Sequence, residues 1–151
     1  MYLIKTIIVW CGMYYATPTW MEQQIPDRLK STRYELHIVP YGTPLSSIKQ
    51  KVDPKTTALI SFSAGGLDVF KNYNPDYAFI GLIDPSTNLR YNQLKYTNNV
   101  HMLYDISNWG YINKNLSVAA DAITRCGGEA IHIDIGHSKI PKYFFIKYFS
   151  I

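Results

Sequence analysis

At 151 residues, with 47% hydrophobic and 17% charged side chains, the chain has enough apolar material for one packed core and too little charge to remain disordered. Its net charge of +4 comes from basic residues scattered between Lys5 and Lys147, which speaks for a solvated basic surface and against a nucleic-acid partner. The two cysteines, Cys11 and Cys126, belong to no C-x-x-C or Cys/His ligand pattern, which argues against a disulfide framework and a zinc site.

In chain order, the apolar run at 4–11 reads as a buried strand. It is followed by the bulky Tyr14 and Tyr15 where a leader peptide would carry small residues. No apolar run approaches the roughly 18 residues of a membrane-spanning helix, so a soluble protein of a reducing compartment is expected. Thr17 and Pro18 form an N-cap and first helical position, and Pro26 should kink or shorten the helix they open. A second strand is expected at 34–40, and Leu45, Ile48 and Val52 have the spacing of a short helix. Further strands are expected at 57–62, 77–83 and 100–105. The stretch 85–99 is rich in Asn, Thr and Tyr and lacks a period, so it reads as a loop or irregular helix over one end of the sheet. Leu116, Ala119, Ala120 and Ile123 share one helical face, and Gly127-Gly128 ends that helix. A last strand is expected at 130–135, and the aromatic C-terminal segment reads as a packed helix or a docking segment. This alternation describes a single α/β domain over 1–151, a three-layer sandwich whose mostly parallel sheet has about six strands.

The segment carrying most chemical information is Ile60-Ser61-Phe62-Ser63-Ala64-Gly65-Gly66, where an apolar strand runs directly into a small-residue turn and then a helix. It resembles the nucleophile elbow G-x-S-x-G, with Ser61 in place of the first glycine and Gly65 filling the second. Far along the chain, Gly136-His137-Ser138 follows the last expected strand. On these two motifs and the strand order, the chain resembles a minimal member of the α/β-hydrolase family, in which serine, acid and histidine occur in that order.

The resemblance implies Ser63 as nucleophile, His137 as general base, and an oxyanion hole formed by the backbone N–H groups of Ala64 and Met13, the latter just past Cys11-Gly12. The acid it implies is Asp84, at the end of Gly81-Leu82-Ile83-Asp84-Pro85, with Asp105 as rival and Asn108 nearer the family's usual loop position. Asp134 ranks below both. His37, His101 and His132 fall within strands and are read as structural. The implied reaction is hydrolysis of a carboxylic ester or related acyl bond through an acyl-enzyme, without cofactor or metal. Tyr14, Tyr15, Trp20, Tyr91 and Trp109 would line an open mouth suited to a polymeric or surface-displayed acyl substrate.

Two other readings remain open. A catalytically silent module of the same fold, serving in a phage particle or other larger assembly, accommodates the departures at Ser61 and Cys11. A phosphate-binding turn at Ser61–Gly66 is the third, although neither G-x-G-x-x-G nor G-x-x-x-x-G-K-[ST] is present.

Overall fold

The computed structural model describes residues 4–30, 34–48, 52–85, 99–105 and 113–149. Six strands, β1 (Thr6–Trp10), β2 (Glu35–Val39), β3 (Thr57–Phe62), β4 (Phe79–Ile83), β5 (Val100–Tyr104) and β6 (Glu129–His132), form one sheet in the order β2-β1-β3-β4-β5-β6. Every neighbouring pair is parallel. The reason lies in composition: β3 and β4 are buried at every residue and β1 at all but its first, and such unbroken apolar runs need cover on both faces.

Successive side chains of a strand point to opposite faces, and the core divides accordingly. Ile7, Val9, Ala58, Ile60 and Phe62 pack with Met21 of α1 (Pro18–Gln24), Leu29 of α2 (Asp27–Lys30), and Phe144, Phe145 and Phe149 of α5 (Ile140–Phe149). Ile8, Trp10, Leu59, Ile80 and Leu82 pack with Val69 of α3 (Gly66–Asn72) and with Ala119, Ala120 and Ile123 of α4 (Asn113–Arg125). The C-terminal aromatic segment is thus a packed helix. No helix among the described residues is long and apolar enough to cross a membrane.

Departures from the sequence reading have local causes. Pro26 splits its helix: Ile25, forced out of the helical region by the following proline, is extended with ψ 127° and separates α1 from α2. Of the helix expected from Leu45 to Val52, the described part is a 3-10 turn, Leu45–Ser47, after which Ile48 is extended, and positions 49–51 lie outside the described residues. Tyr77 and Ala78 lie outside β4, and β6 stops at His132 because its partner β5 ends at Tyr104; one further bond, from Ile133 N–H to the Tyr104 carbonyl, closes the ladder. Of the 85–99 loop, positions 86–98 fall outside the described residues. Cys11 is buried and Cys126 exposed, and both are free thiols.

The register brings the carboxyl ends of β1, β3, β4 and β5 to one edge, through the pairs Trp10↔Ser61, Ser61↔Leu82 and Leu82↔Met102. In open parallel sheets ligands bind outside these ends, where the strand order reverses, which here is between β1 and β3.

At the opposite edge His101 stacks on Phe79 with ring centroids 4.5 Å apart. Its Nδ1 is buried without a hydrogen bond, 3.9 Å from Glu129 Oε1. Burial lowers its pKa; Glu129 opposes this and Lys147 reinforces it. The fold therefore favours the neutral ring. The corresponding stability is present above the unfolded value of 6.5 and is lost as pH falls below it toward the lower folded value. Thermal midpoints should fall between pH 7.5 and 5.5, and His101→Phe should flatten that slope. An unchanged slope in melting curves of the variant would remove His101 as its source.

Candidate active site

Among the described residues, three that are not glycine adopt positive φ: Tyr14 (58°), Ser63 (54°) and Asp84 (41°). Such a conformation costs on the order of 1–3 kcal/mol per residue and persists only where its surroundings impose it. All three lie just past the carboxyl ends of neighbouring strands β1, β3 and β4.

At Ser63 the constraint is visible. It follows the wholly buried β3 and opens the 3-10 turn Ser63–Gly65, which passes straight into α3. That turn lies against the end of β1: a Cβ added at Gly65 would sit 2.6 Å from the Cys11 carbonyl oxygen and 2.7 Å from that of Trp10. A Cβ on Gly12 would lie 3.2 Å from Ser63 Cβ, so the loop after β1 packs directly on the serine. Ser61, where the elbow pattern has glycine, is fully buried with its hydroxyl unpartnered.

His137 is brought to this edge by the turn after β6. Its Nδ1 pairs with Asp84 Oδ2, and the two side chains are 14% and 0% exposed. With Nδ1–H donating to the carboxylate, Nε2 is the basic nitrogen. The ring also stacks on Phe62, the residue before Ser63, at 4.5 Å between centroids. Among the described residues no hydrogen bond joins Ser63 Oγ to the imidazole. In a ligand-free site such a bond is often long and closes only with substrate.

The two carboxylates have different partners. Asp84 Oδ1 accepts the Asp105 N–H at 3.0 Å, while Asp105 Oδ2 accepts the Gly136 N–H at 2.9 Å. Asp105 is fully buried and lies 3.7 Å through Oδ1 from His132 Nε2. It is Asp84 that contacts His137. Asp105 instead holds the turn that presents His137, with Gly136 at φ 93°.

The remaining expectations divide. Ala64 is buried in the first turn after Ser63, where helical N–H groups lack an intrahelical acceptor. Met13 is 47% exposed on the loop packed against Ser63. Burial pushes the Cys11 thiol up to about 12, which leaves it a protonated packing group. Tyr14 and Tyr15 are exposed and Trp20 is half-buried, whereas Tyr91, Trp109 and Asn108 lie outside the described residues. Asp134 is exposed. His37 lies in β2 with Nε2 buried, 3.6 Å from Glu35 and without a hydrogen bond, so neither it nor His101 is a fully satisfied strand histidine. Two contributors went unrecognised in the sequence. Phe62 carries no signal beyond its place in a strand, and the bond from Gly136 to Asp105 spans two elements that only the fold brings together. Comparison with protein-family models, curated proteins and solved structures yields no match to this chain.

Proposed function

We propose that the chain is a serine hydrolase that cleaves a carboxylic ester or related acyl bond, on a three-layer sandwich with an α/β-hydrolase-like core. The observation that carries this reading is the convergence of a strained Ser63 and a buried, strained Asp84 paired with His137 at one sheet edge. Strain at a serine after a strand aims its hydroxyl outward, and an imidazole oriented by a buried carboxylate is a general base in its working tautomer.

In this mechanism Ser63 Oγ attacks the acyl carbon as His137 Nε2 takes its proton. The N–H groups of Ala64 and Met13 receive the developing oxyanion. Collapse expels the alcohol, which takes the proton from His137, and water deprotonated by the same nitrogen releases the acid and regenerates Ser63. Asp84 holds the ring orientation and stabilises the transient imidazolium. The open loop after β1 suits a polymeric or surface-displayed ester.

The buried Ser61, whose hydroxyl is unpartnered where the elbow pattern has glycine, favours a second reading, a catalytically silent module of the same architecture within a larger assembly. A fluorophosphonate probe separates the two by intact mass and site mapping. Wild-type protein should be labelled at Ser63, and Ser63→Ala and His137→Ala should lose the label. A folded wild type that stays unlabelled would establish the silent module instead.

A further inference from the structure

Four rings run in series from solvent to the imidazole. Tyr15 meets Trp20 edge-on, 5.1 Å between centroids and 80° between planes. Trp20 stacks on Phe62 at 5.4 Å and 28°, and Phe62 stacks on His137 at 4.5 Å and 27°. Exposure rises outward along the series: Phe62 is fully buried, Trp20 half-buried and Tyr15 51% exposed.

The outer pair is held in place. Trp20 lies in the first turn of α1, its N–H donating to the N-cap Thr17 Oγ1 at 3.2 Å, and its neighbour Met21 is fully buried. Tyr15 is one residue before Ala16, which is buried and bonded back through its N–H to the Met13 carbonyl at 3.2 Å. The Tyr15 phenol has its pKa raised by burial and then by the charge of Asp84, the residue paired with His137.

Two rings at nearly a right angle make a corner. A third ring entering that corner stacks on one and meets the other edge to face, which are the two arrangements that aromatic quadrupoles favour. An alkyl group of the same size gains only the burial of its surface.

We propose that Tyr15 and Trp20 form a subsite for a flat aromatic group on the ester, carried on either its acyl or its alcohol side. This inference rests on the serine-hydrolase reading. It deepens that reading by naming an aryl ester as the substrate class, with Trp20 as the specificity-determining residue.

The test uses two pairs of esters that differ only in ring unsaturation: ethyl phenylacetate against ethyl cyclohexylacetate, and benzyl acetate against cyclohexylmethyl acetate. In one pair the wild type should prefer the aryl member about fivefold in kcat/KM, the size expected of a favourable aromatic contact. The ratio should fall to about one in Trp20→Leu and decrease in Tyr15→Leu, whose exposed site makes misfolding a minor concern. Because each ratio is internal to one protein, a general loss of activity leaves it unaffected. The pair that responds identifies the side of the ester. Fluorophosphonate labelling at Ser63 without an aryl preference in either pair would overturn the inference alone, as would a preference that survives both substitutions. An unlabelled Ser63 would overturn the hydrolase reading, and the subsite with it.

Discussion

Asp84→Asn is expected to slow ester hydrolysis and fluorophosphonate labelling at Ser63 by about 10³- to 10⁴-fold. Asparagine keeps the shape of the side chain and tolerates positive φ, so the strained backbone at 41° survives. It does not keep the charge. The amide can hydrogen-bond His137 Nδ1 through its oxygen, but it gives the imidazolium no opposing charge, and through its NH₂ it can select the wrong tautomer. Asp105→Asn should behave differently. Its amide oxygen can still accept the Gly136 N–H, so the turn bearing His137 keeps its main support and the loss should be about tenfold. Initial rates of both variants over pH 6 to 9, with melting curves to confirm folding, decide between the carboxylates. A larger loss in Asp105→Asn than in Asp84→Asn would assign the acid to Asp105.

Gly65→Ala is expected to be the most damaging single methyl group in the described structure. The atoms it would strike, the carbonyl oxygens of Cys11 and Trp10 at 2.6 and 2.7 Å, are backbone and cannot rotate away. Relief requires moving the end of β1 from the turn after β3, two segments that the ladder of β1 and β3 holds in register. The cost should be roughly 3 kcal/mol, at the upper end for overpacking, which for a domain of this size lowers the melting temperature by about 6–12 °C. Activity should fall further than stability, because the same displacement turns Ser63 and moves Met13 away from it. Scanning calorimetry together with labelling kinetics below the lowered midpoint checks both. A variant that melts like the wild type would mean the turn can relax without disturbing β1.

The sheet was legible in the sequence because its interior strands carry no polar alternation. Thr57–Phe62 and Phe79–Ile83 are apolar runs between turn signals, and only a parallel sheet covered on both faces accommodates them side by side. Strand ends were less legible. The hydrogen-bond partner decides where a strand stops, so Ile133-Asp134-Ile135 continues the alternation of a strand yet lies beyond the end of β5. The small residues around Ser63 were legible because a tight turn against another backbone excludes large side chains. Which aspartate meets His137 was less legible, with Asp84 preferred and Asp105 as rival, because each follows a strand and both are buried. What separates them is which one reaches His137, a contact that spans 53 positions of the chain and is fixed by the turn after β6. The aromatic series from Tyr15 to His137 was illegible for the same reason, since its four rings come from four separate elements.

The residues of the candidate site do not share equally in the native state. Ser63 and Asp84 directly follow interior strands whose every residue is buried, whereas His137 follows β6, a four-residue edge strand whose first and last residues are exposed. Segments of the second kind open at lower free energy than the body of a fold. Detachment of β6 and its turn would leave five strands paired and would separate His137 from Asp84. On the serine-hydrolase reading proposed above, labelling at Ser63 should therefore be lost under mild stress before the melting transition and return when the stress is removed.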